Sequence, residues 1–309
     1  MNYDVIILGS GPAGLTAALY CARAGKSTLV LGGTELGGQM ATIPMLENYP
    51  GWTGSGAELA EFMKNQAEQF GAKVIFADAK HAGVHKTSPG DFEVVADNGE
   101  IFTAGAVIAA TGASPRKLEI KGAREFLGKG VSYCATCDGF FYTGKDVLVI
   151  GGGNSALNDA LYLANVAKTV TIVYRKGSFA RAEKILIDRI NATKNISVEW
   201  NTELAEIAET DAGARGDDTL VNDFVVKTTD GREIFCDGIF VAIGHEANTD
   251  YLAEEYKRDH LGRLIQQELP AGLFVCGDVK SALKMQVATA VGTGCEAAMD
   301  AVGYLNSKK

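Results

Sequence analysis

Cys134-Ala135-Thr136-Cys137-Asp138 holds the residues of this chain best suited to chemistry. Two cysteines separated by two residues close and open a small disulfide ring. A carboxylate directly after the second can supply or remove the proton that each thiol exchange requires. The same pair also suits half of a zinc site or two inert thiols. Zinc normally takes a second Cys pair or a His pair at ligand spacing, whereas Cys21, Cys236, Cys276 and Cys295 stand isolated. His81 and His85 could share one helical face, but nothing local completes a site with them. They read as solvated, no metal is expected, and the cysteine pair reads as redox-active.

The elements around the pair point the same way. Val5-Ile6-Ile7-Leu8 runs into Gly9-Ser10-Gly11-Pro12-Ala13-Gly14, an apolar strand entering G-x-G-x-x-G. A helix is predicted over Leu15 to Ala24, stopped by Gly25, and a second strand over Thr28 to Leu31. Such glycines permit a tight turn and a close backbone approach to a pyrophosphate seated on the helix N-terminus. Between a strand and a helix, the motif is in the context that gives it meaning. The pattern recurs just after the cysteines. Asp146 to Ile150 is a strand, Gly151-Gly152-Gly153-Asn154-Ser155-Ala156 a second fingerprint with Ala in the third glycine's place. A helix over Leu157 to Ala164 and a strand over Thr169 to Tyr174 follow.

The two halves also agree downstream. Asn98-Gly99 and Asp230-Gly231 are hairpin turns after apolar strands. Each leads to a strand running to glycine, Ala106 to Gly112 and Gly238 to Gly244, and both turn-to-glycine spacings are 13 positions. The expected fold is α/β, with two Rossmann-like three-layer nucleotide-binding domains bearing antiparallel meanders, the second inserted in the first. Leu273 to Asp278 as a strand and Val287 to Tyr304 as a long helix should return to the first copy. The predicted boundaries are 1–113 with 246–309 for one domain and 114–245 for the other.

At 309 residues, 47% hydrophobic, the chain has room for about two domains with sizeable cores. Its formal net charge of −9 gives no electrostatic support for nucleic acid or an anionic membrane. No apolar run approaches a membrane span, no secretion segment is read at the start, and the six cysteines do not make a secreted disulfide scaffold. A cytoplasmic protein is expected.

Two dinucleotide folds and a disulfide motif suggest a relay of hydride donor, flavin and dithiol. In the second copy the strand after the fingerprint ends in Tyr174-Arg175-Lys176, with Arg181 shortly after and no acid. Cations there accommodate a 2′-phosphate, which favours NADPH over NADH. The first copy ends Leu31-Gly32-Gly33 without the expected acid, and the role of nearby Glu35 is left open.

These residues resemble the low-molecular-weight thioredoxin reductases over essentially the whole chain. The resemblance rests on Gly9 to Gly14, Gly37-Gly38-Gln39, Glu47-Asn48-Tyr49-Pro50-Gly51, Ala110-Thr111-Gly112, Cys134 to Phe141, Gly151 to Ala156 and Gly277-Asp278, in that order. It implies FAD in the split domain, NADPH in the inserted domain, thioredoxin as disulfide substrate, and a homodimer. It also implies that Cys137 is the flavin-side thiolate, that Cys134 attacks thioredoxin, and that Asp138 is the acid-base group. Gly9, Ser10, Gly11, Pro12, Ala13, Gly14, Gly38, Gln39, Asn48, Thr111, Gly112, Gly277, Asp278, Gln286 and Val287 are the flavin residues expected. Gly151, Gly153, Asn154, Ser155, Ala156, Arg175, Lys176 and Arg181 are those for NADPH. The family alternates between two domain orientations, which places the hinge near Gly112-Ala113-Ser114-Pro115 and Gly244-His245.

Three departures stand out. The family's His-Arg-Arg, three residues, Arg-Ala becomes Tyr174-Arg175-Lys176, four residues, Arg181-Ala182, and Lys176 lacks the planar fork of arginine. Met285-Gln286 stands for Arg-Gln, and Asn158-Asp159 for two glutamates. A ferredoxin-fed relative or a dithiol oxidase would have little use for the second fingerprint or its cations. A redox-sensing flavoprotein would have little use for Asp138.

Overall fold

The structure, a computed structural model, describes residues 2–77, 83–88, 91–210, 224–280 and 285–308. It divides into two units, Met1–Ser114 with Glu246–Lys309, and Pro115–His245.

The first unit opens with β1 (Asn2–Leu8), α1 (Pro12–Arg23) and β2 (Thr28–Leu31). A ribbon of β3 (Leu46–Tyr49) and β4 (Trp52–Gly54) precedes α2 (Gly56–Gln69) and β5 (Lys73–Ile75). Next come β6 (Gly83–Ser88), β7 (Asp91–Val95) and β8 (Ile101–Ala109), before the short β9 (Ala113–Pro115) at the crossing. The sheet order is β5-β2-β1-β8-β7-β6. Helix α1 starts at Pro12, three residues before the predicted Leu15, because proline's fixed φ and missing N–H suit a first helical turn. It ends as expected, with Gly25 at φ +74° just beyond. The helical face expected for His81 and His85 is not formed: His85 lies in β6, and His81 falls outside the described residues.

In the second unit β10 (Val131–Ser132) and the single turn α3 (Ala135–Asp138) precede β11 (Asp146–Ile150), α4 (Asn154–Leu163) and β12 (Thr169–Tyr174). Then come α5 (Lys184–Ala192), β13 (Ile196–Trp200) and β14 (Leu204–Glu209). After them lie β15 (Phe224–Thr228), β16 (Glu233–Cys236) and β17 (Gly238–Val241). A parallel sheet runs β10-β17-β11-β12-β13, and β14-β15-β16 is a separate antiparallel meander. Helix α4 also starts earlier than the predicted Leu157, because the chain turns helical inside the fingerprint, directly after Gly153.

The chain then returns through β18 (His245–Ala247) to β19 (Leu273–Val275) and α6 (Val287–Ser307) of the first unit. Strand β8 serves two neighbours on one edge. Its residues Ile101 to Ala104 pair antiparallel with β7, and Val107 to Ala109 pair parallel with β19. The first meander therefore shares β8 with the main sheet, unlike the second.

Strand alternation builds a three-layer core in each unit. Val5, Ile7 and Val30 pack against α1 and α6, whereas Ile6, Leu8, Leu29 and Leu31 pack against Phe92, Val94 and Phe102 of the meander. In the second unit Val147 and Val149 face α4 and α5, and Leu148 and Ile150 face Phe224 and Val226. Each fully buried Leu, Ile or Phe stabilises its layer by about 1.5–3 kcal/mol before ordering costs. The register repeats as well. Leu8 pairs with Ala109 and Ala109 with Val275, just as Ile150 pairs with Val241 beside Phe240, which pairs with Ser132. Strand β10 thus stands beside β17 as β19 stands beside β8. The cysteine pair and the Gly277-Asp278 segment leave equivalent ends of equivalent sheets, the strand ends where such folds bind ligands.

Candidate functional site

Cys134 and Cys137 are joined as a disulfide with Cα atoms 5.3 Å apart. Cys134 is the N-cap of α3, and its Sγ accepts the Cys137 N–H at 3.2 Å. The Asp138 N–H donates to the Cys134 carbonyl at 3.2 Å, closing the turn. Ser132, buried at the end of β10, donates its hydroxyl to Asp138 Oδ2 at 2.6 Å and accepts the Cys134 N–H at 3.0 Å. Tyr142 sits edge-on to Phe240 at 5.3 Å; burial, then the nearby Asp138 carboxylate, pushes its phenol up. Cys137 is exposed and Cys134 only partly so. Phe140 and Phe141, next in the chain, are each 73% exposed.

The remaining sequence-predicted residues fall into two groups, one in each unit. In the first unit Gly9 has φ +109°, and a Cβ there would lie 2.4 Å from the Ala110 carbonyl oxygen. Gly11 is different: a Cβ there would meet nothing nearer than the Gly37 oxygen at 3.9 Å. Helix α1 has no side-chain cap at Gly11, so its first N–H groups are available to an anion. The Ser10 hydroxyl donates to the Gly32 carbonyl at 2.6 Å and ties the fingerprint to the turn after β2. Gln39 donates to the Ala113 carbonyl at 2.6 Å, and Asn48 to Gln286 Oε1 at 3.1 Å. Thr111 donates to the Asn248 carbonyl at 2.6 Å and lies 3.0 Å from the buried Tyr251 hydroxyl. Asn248 returns an amide bond to the Thr111 carbonyl at 3.0 Å. Burial raises the Asp278 carboxyl, opposed by Arg263. Val287 begins α6 and packs against the cluster of Met40, Leu46 and Leu59. Glu35 contributes its carbonyl to Ser10, and its side chain is exposed.

In the second unit Gly151 has φ +143°, and a Cβ there would fall 2.2 Å from the Ala242 oxygen, whereas one on Gly153 would meet open space. Helix α4 likewise lacks a side-chain cap. Arg175, Lys176 and Arg181 are exposed, and no side chain of the three makes a hydrogen bond or ion pair among the described residues. The extra residue before Arg181 is absorbed in a turn anchored by Phe179, which is buried against Trp200 at 4.5 Å and Tyr174 at 5.8 Å. Asp159, one turn along α4, has its carboxyl pushed up to about 7 by burial.

Sequence reasoning missed Ser132, Asn248, Tyr251 and Phe179. Only Phe179, an aromatic inside an otherwise polar turn, left a signal that could have found it.

A mixed sheet and a parallel one, each with a glycine cradle at its parallel strand ends and the second with a disulfide beside a carboxylate, define a disulfide oxidoreductase built on dinucleotide-binding folds. The family model for pyridine nucleotide-disulphide oxidoreductases matches residues 3–294, and the chain belongs to that family. It is 39% identical to a thioredoxin reductase of Coxiella burnetii, covering 99% of this chain and 97% of the relative. It is 41% identical to a glucosaminate ammonia-lyase of Pseudomonas fluorescens, covering 98% and 95%. The crystal structure of Lactococcus lactis thioredoxin reductase superposes with a TM-score of 0.89 at 35% identity, covering 99% of both chains.

Proposed function

We propose that the chain is a thioredoxin-disulfide reductase passing electrons from NADPH through FAD and the Cys134–Cys137 dithiol to oxidised thioredoxin. The observation that carries this reading is the Cys134–Cys137 disulfide with Asp138 in the same turn, in a chain with two glycine cradles. An ammonia elimination, suggested by one relative's name, has no use for a reversible disulfide.

The residues present fit both cofactors. The open space over Gly11 and Gly153 and the uncapped starts of α1 and α4 suit a pyrophosphate in each unit. FAD belongs with the first unit, where Gly9–Gly14, Gly38, Gln39, Asn48, Thr111, Gly112, Gly277, Asp278, Gln286 and Val287 would hold it. NADPH belongs with the second, held by Gly151, Gly153, Asn154, Ser155 and Ala156, with Arg175, Lys176 and Arg181 for the 2′-phosphate. A bound flavin supplies the transfer of two electrons between a nicotinamide and a disulfide.

The chain's own residues then carry the exchange. The Cys134 thiolate attacks one sulfur of the partner disulfide, forming a mixed disulfide as the partner bond breaks. The departing sulfur takes a proton from the Asp138 carboxyl. Cys137 passes its proton to Asp138 and attacks Cys134 Sγ, which expels the second partner sulfur; that sulfur takes this proton. Two electrons and two protons move, and Cys134–Cys137 is a disulfide again.

A second copy of the chain is the expected partner. Tyr20, Trp52, Phe62 and Met63 line an apolar groove on the first unit, with Phe62 61% and, on α6, Met299 63% exposed, a surface suited to a dimer contact. Cys21, Cys236, Cys276 and Cys295 are free thiols, which fits a reducing cytoplasm. Among the described residues no helix is long and apolar enough to cross a membrane.

An anaerobic titration with NADPH and NADH, followed by oxidised thioredoxin, tests the reading. Flavin bleaching by NADPH and reoxidation by thioredoxin are expected. Ammonia release from glucosaminate without thioredoxin reduction would move the chain to the other activity. Bleaching by neither nucleotide would point to ferredoxin or a substrate dithiol as donor.

A further inference from the structure

We propose that Ser132 is a positioning residue for the dithiol chemistry, holding the Asp138 carboxylate and the Cys134 backbone in one fixed arrangement. This rests on the reductase reading above and adds a residue to it.

Three observations carry it. Ser132 ends β10, where its backbone is fixed by pairing with Phe240 of β17 and the residue is only 5% exposed. A buried hydroxyl needs partners, and this one has two that belong to the redox turn. Its oxygen accepts the Cys134 N–H at 3.0 Å, and its proton faces Asp138 Oδ2 at 2.6 Å. The Cys134 carbonyl also lies within reach at 3.3 Å, but one proton serves one strong bond, and the shorter contact, to Asp138 Oδ2, wins. Among the described residues, Ser132 is the one side chain hydrogen-bonded to the Asp138 carboxylate.

The geometry has a chemical consequence. Asp138 closes the single turn α3 and precedes a 3-10 turn over Gly139–Tyr142 that its side chain does not cap, so neither short turn fixes the carboxylate. With Oδ2 tied to a strand end, the carboxylate is fixed relative to the parallel sheet. Cys134 is fixed by the same hydroxyl. A proton donor or acceptor that must meet a sulfur at each of two successive exchanges gains from being held in place. Ser132 touches neither partner nor cofactor in this account; it acts through Asp138.

The test is a double-mutant cycle on the pre-reduced holoenzyme, read as the single-turnover rate of transfer to a bacterial thioredoxin. Wild type, Ser132→Ala, Asp138→Asn and the double variant are compared, with melting temperature and bound-flavin absorbance reporting the fold. Ser132→Ala should slow transfer roughly ten- to a hundredfold, with the thioredoxin KM little changed. In the Asp138→Asn background the same substitution should cost nothing further. Equal slowing in both backgrounds would mean that Ser132 merely supports the turn, and would overturn the proposal. A wild-type rate in Ser132→Ala would overturn it too. Wild-type enzyme whose flavin is reduced by NADPH but which never reduces thioredoxin would remove the reductase reading, and this role with it.

Discussion

Asn154 and Glu183 hold each other reciprocally: the Asn154 amide donates to Glu183 Oε1 at 2.8 Å, and the Glu183 N–H donates to Asn154 Oδ1 at 2.8 Å. Asn154 opens α4 at the second fingerprint, and Glu183 closes the turn that carries Arg181. The pair therefore fastens the cationic turn to the helix end proposed to seat the pyrophosphate. Asn154→Ala and Glu183→Ala should each weaken NADPH binding about fivefold, the scale of a partly exposed hydrogen bond or two. Equilibrium dissociation constants for both variants check this. A loss confined to Asn154→Ala would leave Asn154 only its proposed direct contact with the nucleotide, and the fastening role would be withdrawn.

The side chains of Arg175, Lys176 and Arg181 have no partners among the described residues, which leaves their charge available to a ligand. Charge-assisted bonds to a phosphate are strong. Arg175→Ala or Arg181→Ala should weaken NADPH roughly tenfold or more and leave NADH almost unaffected, because NADH lacks the 2′-phosphate. The difference should shrink as salt is raised. Nucleotide titrations of flavin absorbance at low and high ionic strength decide it. Equal losses for both nucleotides would place these cations elsewhere in the chemistry.

Much of this fold was legible because its strands are short apolar runs closed by glycine. Thr28–Leu31, Asp146–Ile150 and Thr169–Tyr174 have the limits expected from the sequence. Helix α6 starts at the expected Val287, but α1 and α4 start earlier than their sequences suggest, since a glycine-rich turn looks like loop even where the chain is already helical from Pro12 and Asn154. The two-residue β10 was not readable at all. Its pairing with β17 joins residues more than a hundred positions apart, and no local periodicity encodes that. The bond between Asn48 and Gln286 is invisible for the same reason, with 238 positions between the partners. Ser132 lies only six residues before Asp138. Even so, its hydroxyl could be assigned only once the sheet fixed where it points.

The two sulfurs should differ in behaviour. Cys137 is the more exposed in this structure, yet the attacking role is proposed for Cys134. Cys137→Ser leaves Cys134 able to form a mixed disulfide that nothing in the enzyme can resolve. Cys134→Ser should form none. Both variants should lose thioredoxin turnover while nicotinamide still bleaches the flavin. Non-reducing gels of each reduced variant provide the check, run with a thioredoxin that lacks its resolving cysteine and whose remaining cysteine is activated as a thionitrobenzoate disulfide, so that thionitrobenzoate leaves as the enzyme sulfur bonds. Trapping by Cys134→Ser alone would exchange the two roles and favour the exposed sulfur as nucleophile.

Asp159 gives a prediction about stability that is independent of cofactors. Burial on α4 pushes its carboxyl up to about 7, against an ordinary value of 3.8. The folded protein therefore holds this proton over a range where the unfolded chain has released it. The stability this contributes is complete below the ordinary value and is lost as pH rises through about 7. Asp159→Asn cannot ionise and should show no such loss. The variant should match wild type near the acid end and gain on it progressively toward neutral pH, levelling off above. Each pKa unit corresponds to about 1.4 kcal/mol. Because the side chain keeps some access to water, the gain at alkaline pH should be about 2 kcal/mol, or roughly 4 °C or more in melting temperature. Melting curves of both proteins at pH 5 and pH 8 measure the difference directly. A gap of the same size at both values would mean that Asp159 does not titrate between them, and that its buried carboxyl is held by something other than the desolvation argued here.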